Sequence, residues 1–292
     1  MSAQCVGAVT RHLHGAAGVH LQYRQAGAAG APVLVLLHPS PRSSAMYVPW
    51  MAALASCFRV LAVDTPGYGG SDPLLAPPAR LADYLPALQA LLRDVAGPRF
   101  MLYGSATGAQ LGIAYSLAYP AEVQHLFIDN AAHLEPAEHD EIVARYFPDL
   151  SPRPDGGHLL QAWQLCQAMA TYFPWYLQDE AHRFRANSPA PSEVHGALVE
   201  LLAAGPGWAA AYRAAFDHEH ASHVQALRVP TTVFRWQGSI LLKHIDALLA
   251  HPLPAHVGRL VTPAATDARY AAMQAHMATV MGTVTATDVA AL

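Results

Sequence analysis

The sequence predicts an α/β fold, with a mostly parallel sheet, helices on both faces and an inserted helical cap. Three observations predict it. Continuous apolar runs at 33–37, 58–63, 100–104 and 123–128 alternate with stretches of helical spacing, and runs without polar alternation suit strands buried on both faces. Each run ends in a loop rich in glycine, proline or small polar residues, the punctuation expected between strand and helix. The alternation then breaks from about 134 to 225, where aromatic-rich helical segments take over before strand signals return at 231–236 and 257–261.

The elements follow in order. Residues 6–26 read as two short strands, with alternation in Val19-His20-Leu21-Gln22-Tyr23, and 27–30 make the turn into the core. The strand at 33–37 leads into a helix at 45–56, and the strand at 58–63 precedes a helix at 80–95 spaced by Leu81, Leu85, Leu88, Leu91 and Leu92. The run 100–104 enters a tight turn and a helix ending before Pro120. A last helix is expected over 267–281. These signals divide the chain into a core domain, 1–133 with 226–292, and a helical cap, 134–225.

A chain of 292 residues with 53% hydrophobic and 13% charged residues has material for a large core. Its formal charge of −4 contains no long run of one sign, so neither nucleic acid nor a membrane surface is an expected partner. Cys5, Cys57 and Cys166 are widely spaced and form no metal or disulfide pattern. With no signal-peptide pattern or bilayer-length apolar stretch, a cytoplasmic location is expected. A small-molecule substrate is the expected partner, and a homodimer is compatible with the composition. No metal, nucleotide or flavin is expected, because His38-Pro39-Ser40-Pro41 lacks the glycines of a phosphate loop.

Three motifs carry a resemblance. Leu37-His38-Pro39 follows the third strand, Asp64-Thr65-Pro66-Gly67-Tyr68-Gly69-Gly70-Ser71-Asp72 follows the fourth, and Gly104-Ser105-Ala106-Thr107-Gly108-Ala109 forms a strand–turn–helix. In this order the chain resembles the α/β-hydrolase fold superfamily, over nearly its whole length. The resemblance implies that Gly104 to Gly108 is a nucleophile elbow, with Ala106 in the nucleophile slot. A methyl group attacks nothing. The family's acid after the strand ending at Trp236 is replaced by Gln237-Gly238-Ser239, and its C-terminal Gly-His by Thr262-Pro263-Ala264-Ala265-Thr266-Asp267. The expected site is therefore a branch with a non-serine elbow and a degenerate triad.

Several residues retain chemistry. The resemblance implies that the Thr107 N–H belongs to an oxyanion hole, with a second donor from the loop after the third strand. Asp129 ends the strand after the elbow helix, and His133 follows four residues later. An Asp that orients a His would make a base, with Asp129 as a turn cap the alternative. His158 opens a cap helix and either shares that cavity or stays structural. In the loop over the elbow, Ser40 and Arg42 are candidate substrate ligands, and His38 either contacts substrate or supports the loop. Trp163 and Trp236 are candidate pocket walls, and Ser105 is expected to be structural. Lys243 and His244 are read as helix-surface residues, and Asp217-His218-Glu219-His220 as a solvated face.

The expected function is an enzyme, a hydrolase or lyase that needs no cofactor. It would act on a small ester, ketone or carboxylate by acid–base chemistry, through Asp129, His133, His158 and backbone donors. Two alternatives stand: a non-catalytic pseudo-hydrolase that binds a small molecule, and a serine hydrolase whose nucleophile was replaced to give Ala106.

Overall fold

The computed structural model describes residues 8–290. Cys5, the first residues of the expected N-terminal strand and residues 291–292 lie outside the described residues. Eight strands form one sheet: β1 (Thr10–Ala16), β2 (Val19–Ala26), β3 (Val33–Leu37), β4 (Arg59–Val63), β5 (Phe100–Ser105), β6 (Val123–Asp129), β7 (Thr231–Trp236) and β8 (Val257–Thr262). Their spatial order is β1-β2-β4-β3-β5-β6-β7-β8. The hairpin β1–β2 joins antiparallel to β4, and every later pairing is parallel.

Between and after the strands run α1 (Val48–Leu54), α2 (Leu85–Val95), α3 (Thr107–Ala118), α4 (Pro136–Arg145), α5 (Gly157–Met169), α6 (Pro191–Ala203), α7 (Ala210–Phe216), α8 (Ala221–Gln225), α9 (Leu242–Ala250) and α10 (Thr266–Ala290). The expected helices at 45–56 and 80–95 each begin with a 3-10 turn, Ser44–Tyr47 and Leu81–Tyr84. Pro49 and Pro86 then sit in the first turns of α1 and α2, where a missing N–H costs nothing. The last helix runs well past residue 281, because nothing in 266–290 interrupts it.

Strand β3 shows why its run had to be apolar throughout. Leu34 and Leu36 face a layer with Trp50, Met51 and Leu54 of α1 and Met273 and Met277 of α10. Val35 and Leu37 face the opposite layer, with Leu88 and Leu91 of α2 and Leu111 of α3. Strand period two therefore sends alternate residues into different cores, and each fully buried aliphatic side chain contributes about 1.5–3 kcal/mol. The segment between β6 and β7 carries α4 to α8 and has apolar clusters of its own, around Leu165, Trp208 and Tyr146.

The Asp64 motif is a structural lock. Its carboxylate accepts from Ser44 N–H at 2.6 Å, Gly70 N–H at 3.0 Å and Gln22 Nε2 at 2.5 Å. It ties the loop after β4 to the loop after β3 and fixes the rim beside the elbow. A Cβ at Gly69 would fall on that carboxylate, and Gly69 has φ +58°, so only glycine fits there without strain.

Candidate active site

The elbow is built from close packing. A Cβ on Gly104 would collide with the Gly108 carbonyl, and one on Gly108 with the Leu37 carbonyl. Both glycines let α3 sit directly against β5 and β3. Between them Ala106 holds φ 48° and ψ −115°, a region of strain for any residue with a Cβ. Its N–H donates to the Asp129 carbonyl at 2.9 Å. Thr107 opens α3, so its N–H has no intrahelical acceptor and the positive end of the helix dipole lies at the turn.

Above the turn lies a cavity of about 310 Å³. Ser40, Ala106, Thr107 and Asp129 line it from the sheet domain, Trp236 and Arg269 from the C-terminal part, and Phe173, Tyr212, Phe216 and Glu219 from the helical segment. Seven of its lining residues are aromatic, among them Phe173, Tyr212, Phe216 and Trp236.

Asp129 is fully buried at the floor. Its Oδ2 accepts from Tyr103 OH at 2.8 Å and from Arg269 Nη2. Burial raises the Asp129 pKa, while Arg269, Tyr103, Ser105 and the Asn130 N–H pull it back down. The guanidinium lies 4.1 Å from the centroid of Trp236, a cation–π contact that shields it further. Burial works against the Arg269 charge, but Asp129 and the surrounding tyrosines more than offset it. Arg269 enters from the first turn of α10, just beyond the segment where the resemblance implied a histidine. Sequence reading missed it, although an arginine in the first turn of a helix at the carboxyl edge of the sheet was a readable signal.

Glu219 is the other residue missed. It lies in the break between α7 and α8, 7% exposed, and its Oε2 has no hydrogen-bond partner among the described residues. Burial alone pushes its pKa up to about 8, so near neutral pH it carries a proton. The loop that holds it is anchored on both sides. Leu134 N–H donates to the Glu219 carbonyl at 3.2 Å. His218 Nδ1 bonds Gln110 Oε1 of α3 at 2.9 Å, and its ring stacks on His223 at 3.7 Å. Burial first, and His223 second, lower the His218 pKa to about 3. The tetrad 217–220 is thus a solvated face only in part. Asp217 bonds His139 at the surface, while His218 and Glu219 turn inward. The run of four polar residues hid this; Phe216 and the helix break were the available signals.

Of the expected site residues, Ala106, Thr107, Asp129, Ser40 and Trp236 come together around the cavity. Ser105 also lines it and accepts from Asn130 Nδ2 at 3.3 Å. Among the described residues no histidine lines this cavity, and His133, His158, Trp163, His38 and Arg42 lie elsewhere. After Asp129 the chain turns at Asn130, φ 53°, and leads His133 away. Its ring is buried between His220 and His251, at 4.8 and 4.6 Å, and its Nδ1 accepts from Ala221 N–H. His158 sits in an outer turn of the helical segment, where its Nδ1 accepts from Arg153 N–H at 3.0 Å. Trp163 packs into the interior of that segment. His38 is buried and braces two loops, with Nε2 accepting from Thr65 N–H at 2.9 Å and Nδ1 donating to the Pro39 carbonyl. Arg42 pairs with Glu200 of α6 at 2.9 Å. His244 is buried rather than on a helix surface, bonding Glu138 at 2.8 Å, while Lys243 is exposed.

A family model described as alpha/beta hydrolase fold matches residues 32–195, more than half of the chain. An uncharacterized hydrolase of Saccharomyces cerevisiae is 30% identical over 113 residues, 39% of each chain. Epoxide hydrolase 3 of Xenopus tropicalis is 30% identical over 132 residues, 44% of this chain and 35% of that protein. The chain thus spans well under half the length of these curated relatives. Among solved structures, a hydrolase from Pseudomonas aeruginosa superposes with TM-score 0.68 at 23% identity, covering 93% of this chain and 98% of that one. Epoxide hydrolase A from Mycobacterium thermoresistibile gives 0.66 at 18% identity, covering 94% and 98%. At those identities the structural likeness is one of fold. Among the described residues, no helix is long and apolar enough to cross a membrane.

Proposed function

We propose that this chain, which belongs to the alpha/beta-hydrolase fold family, catalyses an acid–base reaction on a small uncharged organic substrate, with Glu219 transferring the proton. One observation carries the reading: a buried carboxyl without a hydrogen-bond partner on Oε2, its pKa pushed up to about 8, lines the cavity above the elbow. A pKa near the working pH suits a group that must both give and take a proton, and perturbed carboxyls in clefts are functional candidates.

The substrate oxygen would sit at the start of α3. Thr107 supplies one N–H. Ser40 supplies the other, being the only residue of Pro39-Ser40-Pro41 with a backbone N–H. One such donor contributes about 3 kcal/mol to a transition state. Protonated Glu219 gives its proton to the oxygen as its bond to carbon breaks. Water adds to that carbon, and the proton it releases returns to the Glu219 carboxylate. No covalent enzyme intermediate forms, so alanine at 106 is no obstacle. Among the described residues the one cation lining the cavity, Arg269, is already paired with Asp129, and much of the rest of the lining is aromatic or aliphatic, which favours an uncharged substrate. The name of the Xenopus relative makes an epoxide the first substrate to test, followed by esters and thioesters.

Kinetics on a panel of styrene oxide, p-nitrophenyl acetate and an aryl thioester test this. Turnover that Glu219→Gln lowers by about a hundredfold or more, with a wild-type rate that falls above pH 8, is the expected result. An unchanged rate in Glu219→Gln would remove Glu219 from the chemistry. A second reading has one observation behind it: Asp129 is locked to Arg269 instead of orienting a base. Tight binding of panel members without turnover would favour such a binding scaffold.

A further inference from the structure

A second, larger space of about 620 Å³ lies outside the first. Its lining is mixed, with the charged or titratable side chains of Glu138, Glu141, His182 and Lys243 set among apolar residues. Two apolar side chains, Phe173 and Ile240, line both spaces. They come from separate parts of the chain, and the segment that carries each is anchored. Phe173 sits at the base of a small loop closed by hydrogen bonds from Phe173 N–H to the His182 carbonyl and from Phe184 N–H to the Thr171 carbonyl, both at 3.0 Å. Its ring meets His244 edge-on at 5.9 Å. Ile240, 40% exposed, lies on the loop between β7 and α9. There Ser239 Oγ donates to Asn130 Oδ1 at 2.6 Å and accepts from Leu241 N–H at 3.0 Å. Asn130 follows Asp129 directly, so this loop is tied to the cavity floor.

We propose that Phe173 and Ile240 form a neck through which substrate passes from the outer cleft to the inner cavity, and that they set the width of molecule that reaches residue 106. The inner cavity takes the narrow, apolar, reacting end. A polar far end stays among the charged groups of the outer cleft. The substrate class is therefore an elongated organic molecule, slim and uncharged at the reacting end and polar at the other. The inference takes the inner cavity as the reacting site, as proposed above, but access to residue 106 is measurable whether or not Glu219 moves protons.

The probe is a thiol at the end of the route. Ala106→Cys is alkylated with iodoacetamide, N-ethylmaleimide and N-phenylmaleimide, and peptide mass spectrometry follows labelling at residue 106 apart from the native cysteines. The ratio of rates for wide and narrow reagents cancels the reactivity of the thiol itself. In that background Phe173→Ala and Ile240→Ala should each raise the N-phenylmaleimide rate relative to iodoacetamide by about tenfold, the discrimination a steric pocket wall supplies. Ile240→Trp should slow both maleimides. Met46→Ala enlarges the inner cavity without touching the neck and should leave the ratio within about twofold. Ile240 lies on an exposed loop, so its variants report even where Phe173→Ala fails to fold. Neck variants that leave the ratio unchanged, or a Met46→Ala effect as large as theirs, would overturn the proposal.

Discussion

Replacing Glu219 by glutamine should change how stability depends on pH, and the sign follows from burial. The carboxyl titrates at about 8 in the folded chain against an ordinary 4.5. Below 4.5 it is neutral in both states and exerts no pull. Between these values the unfolded chain loses its proton while the folded chain keeps it, so rising pH favours unfolding. Each pH unit in that window costs about 1.4 kcal/mol, so a total of about 5 kcal/mol is lost by pH 8. Above that the folded group also ionises and the loss stops growing. Water entering the cavity would solvate the carboxylate, so about 3–5 kcal/mol is the expected range. Glutamine has nearly the same shape and never ionises. Guanidinium unfolding of both proteins from pH 5 to 9 measures the difference. His38, His133 and His218, whose pKa values burial lowers, contribute equally to both proteins and cancel. The two should agree within about 1 kcal/mol at pH 5, and Glu219→Gln should be the more stable by about 3–5 kcal/mol at pH 9. A difference that stays constant across the range would refute the reasoning.

Three further outcomes are expected. Asp129→Asn leaves the buried Arg269 guanidinium without its charge partner and should cost about 3–5 kcal/mol in chemical denaturation, while Asp129→Asn with Arg269→Met should cost less than Asp129→Asn alone; a double variant worse than the single would contradict the pairing. Ala106→Gly should raise stability by about 1 kcal/mol, because glycine relieves the positive φ at the elbow; a loss measured by thermal melting would show that the turn is unstrained. Ala106→Ser should stay unlabelled by a fluorophosphonate, since no histidine among the described residues lines the cavity to activate it; rapid labelling would reveal a base from elsewhere.

The fold was legible because its signals are local. A five-residue apolar run with alternate residues feeding two cores, and two glycines pressed against carbonyls, leave marks in sequence. The floor of the site was legible for the same reason: Asp129 ends a strand, and strand ends share an edge. Direction after the strand was not. His133 lies four residues from Asp129, but a left-handed Asn130 turns the chain and takes the ring to α8 and α9. His158 and Trp163 belong to the helical segment, whose packing on the sheet has no local signature. Glu219 was the hardest case. Its neighbours Asp217 and His220 are exposed, and only the packing of Phe216 and the anchoring of His218 on Gln110 turn the carboxyl inward. Arg269 shows the converse. Its place in the first turn of a helix at the carboxyl edge of the sheet was readable, but its burial follows only from the carboxylate of Asp129 beside it.

The most direct test of the account is the titration of Glu219 itself in the folded protein. With glutamate labelled by ¹³C at the side-chain carboxyl, chemical shifts from pH 3 to 10 give each pKa separately, and Glu219→Gln assigns the resonance by its loss. One carboxyl should titrate at about 8 and match the pH at which turnover falls. A Glu219 resonance that titrates at about 4 to 5, with the other glutamates, would contradict it.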